Sequence, residues 1–245
     1  MPDHAKRFAM TDVALVTGAG GALGGEVARA LSGRGLKLAL VDAPSSVDRL
    51  RRLAASLGSA SFIAADITAE ATWNDAMARI EHELGALPSQ AALIAGAWRG
   101  GQSLYAEATD DVWRTMMSAN VETVYRSLRA LLPTMVARKR GSVVVVGSRA
   151  GQQPSTGAGS AAYAASKAAV VALAQAAAAE VLPFGVRINA LLPSTLDTPA
   201  NRAAMPASDP TKWVSLPSAA GVVAFLLSDE ARDISGAALP LYGQA

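Results

Sequence analysis

Short apolar runs rich in β-branched residues recur along the chain, separated by longer alanine-rich stretches. The runs are DVALVT (12–17), LKLALVD (36–42), ASFIAAD (60–66), AALIAGA (91–97), GSVVVVGS (141–148), GVRINALLP (185–193) and AALPLY (237–242). Strand-length runs alternating with helix-length stretches predict βαβ units and a parallel sheet. The unbroken Val143–Val146 fits a strand covered on both faces, as helices on each side of such a sheet require. Helices are expected near 22–33, 46–57, 69–84, 107–138, 160–182 and 217–228. The pattern therefore reads as one α/β domain over 1–245, a doubly wound sheet of seven parallel strands flanked by helices on both faces. No internal repeat or linker divides it. Two loops rich in Gly, Ser or Pro, 151–159 and 196–212, follow strand carboxyl ends, where open α/β sheets take their ligands.

Composition narrows the function classes. A chain of 245 residues, 51% hydrophobic, can bury one substantial core. The net charge is +2 and the basic residues are scattered, which argues against nucleic acid as a partner. Without cysteine there is no disulfide, thiolate nucleophile or cysteine-bound zinc, in agreement with a reducing compartment. His4 lies in a polar tail and His82 in the charged run ARIEHELG, so neither suggests chemistry and no metal set is read. The tail MPDHAKRFAM lacks the apolar core of a signal peptide, and the apolar runs break before the ~18 residues of a membrane span. A cytoplasmic protein with no membrane partner is expected.

The first candidate for chemistry is VTGAGGALGG (16–25), between the first strand and the first helix. Backbone N–H groups at such a helix start can face a pyrophosphate. Gly18 permits the tight turn and Gly24 lets the helix approach the strand, with Gly20 and Gly21 between them also expected at the cofactor. Ala22 keeps its N–H but adds a methyl, and Leu23 follows it. Asp42, ending the second strand, can accept from a ribose 2′-OH and would repel a 2′-phosphate, which favours NADH over NADPH. Its plainer role is to start the turn DAPSS. Asp66, with Ile67 beside it, can cap the next helix or reach the adenine, and the two roles are compatible.

The second candidate is YAASK, which puts Tyr163 and Lys167 on one helix face, four residues apart. A phenol of pKa ~10 is a weak acid–base group near neutrality, and a neighbouring ammonium would bring it closer to the operating pH. Such pairs are also common on helices without any role. Ser148, at the end of VVVVGS, can orient a substrate carbonyl or simply satisfy a strand-end N–H.

TGAGGALG at 17–24, Asp66, Asn120 in SANVETV, Ser148, YAASK at 163–167 and NALLPSTLDT at 189–198 together resemble the short-chain dehydrogenase/reductase family, in an order that covers nearly the whole chain. The resemblance implies a Rossmann-type fold, a nicotinamide cofactor and a catalytic set of Asn120, Ser148, Tyr163 and Lys167. Asn120 would hold a water that links Lys167 to solvent as a proton relay, and Tyr163 and Lys167 would also contact the cofactor. Ala95 and Gly96 would contact it through their backbone, and Pro193, Thr195 and Thr198 would hold its carboxamide or diphosphate region. Three positions depart from the family pattern: Ala22 for the middle glycine, Leu93-Ile94-Ala95-Gly96 for Asn-Asn-Ala-Gly, and Pro193-Ser194 for Pro-Gly. Losing both asparagines removes the usual bracing of the central strand.

AGAWRGG (95–101) and LPSTLDTPANRAAMP (192–206) look like the quinoid dihydropteridine reductase subgroup, which also tolerates the alanine and favours NADH. That subgroup generally lacks the serine, which is present here as in the 3-oxoacyl carrier-protein reductases. The expected activity is therefore NADH-dependent reduction of a ketone or 3-oxoacyl-like carbonyl in a small molecule, with Tyr163 as general acid. A dihydropteridine-type reductase and a non-catalytic dinucleotide sensor or scaffold are the alternatives. On the substrate side, Trp98 either stacks on a flat heterocycle or covers the core edge, beside Ser148. Met205 and Trp213 either belong to a lid over 196–212 or pack in the core or an interface. Alanine-rich helix faces imply a homotetramer, with a homodimer next.

Overall fold

The computed structural model describes residues 12–244, so the polar tail with His4 lies outside the described residues. Strand β1 (Val13–Thr17) is buried along its whole length. Val13 and Leu15 face one core and Ala14 and Val16 the other, the two-residue alternation of a pleated strand covered on both sides. From β1 the chain passes through α1 (Ala22–Ser32), β2 (Lys37–Asp42), α2 (Val47–Ser56), β3 (Ala60–Ala64), α3 (Glu70–Leu84) and β4 (Gln90–Leu93). It continues through α4 (Asp110–Met116), α5 (Thr123–Ala137), β5 (Gly141–Val146), α6 (Arg149–Gln152) and α7 (Ala161–Val181). The remaining elements are β6 (Val186–Pro193), α8 (Pro199–Ala204), α9 (Leu216–Leu227) and β7 (Ala238–Leu241).

All seven strands pair in parallel, in the order β3-β2-β1-β4-β5-β6-β7. Helices α3, α5 and α7 cover one face through Ile80, Leu131 and Val170, while α1, α2 and α9 cover the other through Leu31, Leu50 and Val223. Each wholly buried side chain of this size adds about 1.5–3 kcal/mol over exposure. The strand order reverses between β1 and β4, and the crevice beyond their carboxyl ends is the topological switch point.

Four local departures from the sequence expectations bear on the site. The strand expected at 91–97 stops at Leu93, because Ile94 and Ala95 donate their N–H groups to the Thr17 hydroxyl (3.0 and 3.1 Å) instead of to a neighbouring strand. The helix expected at 107–138 begins at Asp110, capped by Thr109, and is interrupted by a π-turn at Met117–Glu122. The Thr123 hydroxyl donates into that turn, to the carbonyls of Ala119 (2.8 Å) and Asn120 (3.4 Å). The two expected loops are partly helical. Helix α6 runs into the first, followed by a 3-10 turn at Pro154–Gly157, and α8 and a 3-10 turn at Pro210–Lys212 lie in the second.

The fourth departure is that α7, with its extension to Phe184, is by length and composition apolar enough to cross a membrane. It packs one face on the sheet through Val170, Ala174 and Ala178 and carries the buried Lys167, while only about a third of its apolar stretch is buried.

Candidate active site

The glycine turn is built by close backbone approach. Gly18 has φ +68°, and a Cβ there would stand 2.8 Å from the Ala95 nitrogen, while a Cβ on Gly24 would stand 2.1 Å from the Gly18 oxygen. Both positions therefore need glycine, one for conformation and both for space. Gly21 stands at the N-cap of α1 with no side-chain cap, which leaves the first N–H groups of the helix directed at the crevice. Gly20 has a different task from the one expected, since its N–H donates to Asp42 Oδ2 at 2.8 Å. Asp42 Oδ1 accepts from the Ala43 N–H at 2.7 Å, so the carboxylate is fixed at the end of β2.

A groove of about 860 Å³ follows the switch point from Asp42 past the glycine turn to Gly96 and Thr198. Gly18, Gly21, Ala22, Leu23, Gly24, Asp66, Ile67 and Ala95 line it as expected; Gly20, Tyr163, Lys167, Pro193 and Thr195 do not. Asp66 neither caps α3, whose N-cap is Ala69, nor is free. The backbone N–H of Thr68 (2.9 Å) and then its hydroxyl (2.7 Å) hold the Asp66 carboxyl below the usual carboxylate range. Two residues missed in the sequence, Ser46 and Arg49, stand in the same wall as Asp42. Arg49 donates to the Gly20 carbonyl (3.0 Å) and to the Ser46 hydroxyl (2.6 Å). An uncapped helix start, a tight glycine cradle and a fixed carboxylate suit a dinucleotide's pyrophosphate and adenosine ribose.

The chemical centre lies where α7 meets the ends of β4 and β5. Tyr163 sits on the first turn of α7 and shares a hydrogen bond with the Ser148 hydroxyl. Ser148 lies beyond the end of β5 rather than in it, and caps α6 by accepting from the Ala150 N–H at 3.2 Å. Lys167, one turn on, is buried and donates to the Val146 carbonyl at 2.8 Å.

The expected tuning of the phenol by the ammonium is not what this arrangement produces. Burial pushes the Tyr163 phenol above its ordinary value, the Ser148 hydrogen bond opposing it, and burial brings the Lys167 ammonium down to about 8. Both groups are desolvated, which disfavours each charged form, and the Lys167 ammonium donates its hydrogen bond to the Val146 carbonyl rather than to the phenol.

Asn120 is wholly buried in the π-turn. Its Oδ1 accepts from Ala97 N–H at 2.8 Å, and its Nδ2 donates to the Ala97 carbonyl (3.1 Å) and the Ser166 hydroxyl (2.9 Å), which itself donates to the Tyr163 carbonyl (2.8 Å). This side chain is a brace between the β4 exit and α7. With Thr17, it takes over the bracing that the missing asparagines would supply. Thr17 and Ser166 were legible only as members of motifs, at fixed offsets from Gly18 and Tyr163.

Trp98 is 64% exposed, its ring lying over Gly100, so it does not cover the core edge. Met205 ends α8 and is half-buried, away from the groove lining. Trp213 follows the 3-10 turn at the far end of the 196–212 segment.

Known proteins share this plan. The family model for short chain dehydrogenases matches residues 12–209. The chain is 30% identical over 241 residues, 94% of each protein, to 2,5-dichloro-2,5-cyclohexadiene-1,4-diol dehydrogenase LinX of Sphingobium indicum. It is 28% identical over 240 residues to 3-oxoacyl-(acyl-carrier-protein) reductase FabG of Salmonella typhimurium, covering 94% of this chain and 96% of that one. The crystal structure of NAD+-bound xylitol dehydrogenase superposes with a TM-score of 0.85 at 26% identity, over 95% of this chain and 98% of the other. With the parallel sheet, the glycine cradle and the Ser148–Tyr163–Lys167 cluster, these similarities place the chain in the short-chain dehydrogenase/reductase family of oxidoreductases.

Proposed function

We propose that the protein is an NADH-dependent oxidoreductase that interconverts a ketone and a secondary alcohol of a small molecule. The observation that carries this reading is the Tyr163 phenol, hydrogen-bonded to Ser148 and one helical turn from a buried Lys167. A nicotinamide dinucleotide in the groove supplies the hydride in the reducing direction. Tyr163, held neutral by burial, is in the proton-donating form and protonates the carbonyl oxygen. Ser148 orients the same oxygen from its fixed place at the cap of α6. Lys167, with a pKa of about 8, is mostly charged at pH 7 and, by the family resemblance, holds a ribose hydroxyl of the cofactor. Asn120 braces the Gly96 loop against α7 and, by the family resemblance, connects Lys167 to solvent as the relay. On the cofactor side, Asp42 favours NADH because its fixed carboxylate accepts from a 2′-hydroxyl and repels a 2′-phosphate.

The substrate enters between Trp98, Ser148 and the 196–212 segment. The similarity to a cyclic-diol dehydrogenase, a polyol dehydrogenase and a 3-oxoacyl reductase sets the panel to screen: cyclic diols, open-chain polyols and 3-oxoacyl thioesters. With a substrate from that panel, Tyr163→Phe lowers turnover by about 10²–10⁴-fold, while NADH binding by fluorescence titration is kept. Turnover that survives the change removes Tyr163 from the acid role. Dihydropteridine-type reduction is the second reading, favoured by the exposed Trp98 ring and opposed by the Ser148–Tyr163 hydrogen bond. Activity on a quinoid pterin but on no member of the panel would select it. We infer a homotetramer, with a homodimer next, paired through the exposed alanines of α7 (Ala165, Ala172, Ala176) and Tyr125 of α5. A monomer by light scattering at micromolar concentration refutes that assembly.

A further inference from the structure

The residues that follow β7 touch three separate pieces of the site. Ser194 leaves β6 where the family pattern has glycine; its hydroxyl donates to the Tyr242 carbonyl at 2.7 Å and its N–H to the Leu241 carbonyl at 3.0 Å. A glycine can make the second bond but not the first. The Tyr242 phenol reaches the opposite way, donating to Gln152 Oε1 at 2.7 Å, with the Arg149 guanidinium 5.1 Å from its ring centroid. Arg149 and Gln152 are the two ends of α6, the helix that Ser148 caps. Beyond them, the Gln244 N–H donates to the Lys212 carbonyl at 3.0 Å. Gly243, at φ +63°, passes so close that a Cβ would stand 2.7 Å from that oxygen.

These contacts matter because the parts they join cannot hold themselves in place. A single turn such as α6 has no stability of its own and takes its position from its neighbours. On one side it meets α7, where a Cβ on Gly151 would stand 2.7 Å from the Lys167 carbonyl carbon; on the other it meets Tyr242. The Ser148 hydroxyl points where α6 lets it, since it accepts from the N–H of Ala150 in that helix. Ser194 likewise opens the short path to Thr198, which lines the groove.

We propose that Tyr242 and Ser194 are positioning residues, the two side chains of a C-terminal clasp that fixes the Ser148 helix relative to the Thr198 wall of the groove. This rests on the dinucleotide reading of the groove. Neither residue touches the reacting atoms; the clasp acts through Ser148 and Thr198.

The test compares full-length wild type with Tyr242→Phe, Ser194→Gly and Ser194→Thr by NADH fluorescence titration, thermal unfolding without NADH, and hydrogen–deuterium exchange. Ser194→Gly weakens NADH binding about five- to tenfold, because the Thr198 wall is no longer fixed before the cofactor arrives. Its unfolding midpoint stays within about 2 °C, and Ser194→Thr, which keeps the hydroxyl, restores the affinity. Exchange over residues 194–214 rises in the glycine variant. Tyr242→Phe keeps the ring over Arg149 and the carbonyl for Ser194, so it speeds exchange over residues 149–157 at least about threefold and leaves 194–214 as in wild type. Unchanged exchange in both segments overturns the clasp. So does a loss of affinity matched by a fall in midpoint and faster exchange across the sheet, which marks plain stability residues. Wild type that binds neither NADH nor NADPH defeats the dinucleotide reading instead, and the exchange measurements still decide the clasp.

Discussion

Lys167 lets the protein's electrostatics be weighed by pH. It is buried, and burial alone brings its ammonium from 10.5 to about 8. Between those values the unfolded chain keeps a proton that the folded chain has released, so the fold gains stability as pH rises, by about 1.4 kcal/mol per unit. The contribution is complete above 10.5 and absent below about 8. From pH 7 to pH 10 the gain works out to roughly 2–3 kcal/mol. Lys167→Met fills similar space without a titrating group, so it serves as the reference in which every other ionisation is unchanged. Urea unfolding of both proteins at pH 7, 8, 9 and 10, without cofactor, gives the stability difference at each pH. Wild type should gain on the variant by that amount across the series. The absolute offset also contains the lost hydrogen bond to the Val146 carbonyl, so the slope carries the conclusion. A difference flat to within about 0.5 kcal/mol would mean that Lys167 is solvated or charge-compensated in the fold, and the account of the buried ammonium would be wrong.

Three further outcomes follow from particular contacts. Gly96→Ala places a Cβ 2.6 Å from Asn120 Oδ1 and 3.3 Å from Lys167 Nζ. It should weaken NADH binding at least about tenfold in a fluorescence titration, and wild-type affinity would show that the brace yields. Arg187, buried on β6, donates to the carbonyls of Leu226 (3.0 Å), Ser228 (3.0 Å) and Ile234 (3.1 Å), so it satisfies the end of α9 and favours its negative pole. Arg187→Met leaves the Ser228 carbonyl without that donor, while Ser142 and Asn189 still donate to the Leu226 and Ile234 carbonyls, and should cost about 1–3 kcal/mol in chemical denaturation; a loss below about 0.5 kcal/mol would deny it that role. Asp42→Ala removes the carboxylate while Arg49 stays in the same wall, so the ratio of NADPH to NADH affinity should rise about 10- to 100-fold. An unchanged ratio, or tighter NADPH binding in wild type, removes Asp42 as the discriminator.

The architecture was readable because buried parallel strands write themselves as apolar runs, and all seven from DVALVT to AALPLY form strands in one sheet. Ends were less readable. AALIAGA is apolar throughout, and only the Thr17 hydroxyl, 77 residues away, shows why its last residues leave the ladder. The spacing placed the glycine turn and Asp42 in the wall of one groove and YAASK on α7 with Lys167 reaching back to the end of β5. Their electrostatics were not legible from it. The i, i+4 spacing of Tyr163 and Lys167 suggested an ammonium that tunes the phenol, but burial, a property of the tertiary structure, sets the direction of both shifts. Ser194 read as a loss of glycine, and its gain, a hydroxyl bond to Tyr242, spans 48 residues.

The π-turn at Met117–Glu122 sets the phase of a helix. One residue of an α-helix is worth about 100° of rotation, so the extra residue in this turn lets α4 and α5 face independent directions. The outward face of α4 with Trp113 can then change its surroundings without turning Asn120 away from Ala97. Deleting a single residue there would leave every other side chain intact and still aim Asn120 elsewhere, so the length of the segment is itself part of the site.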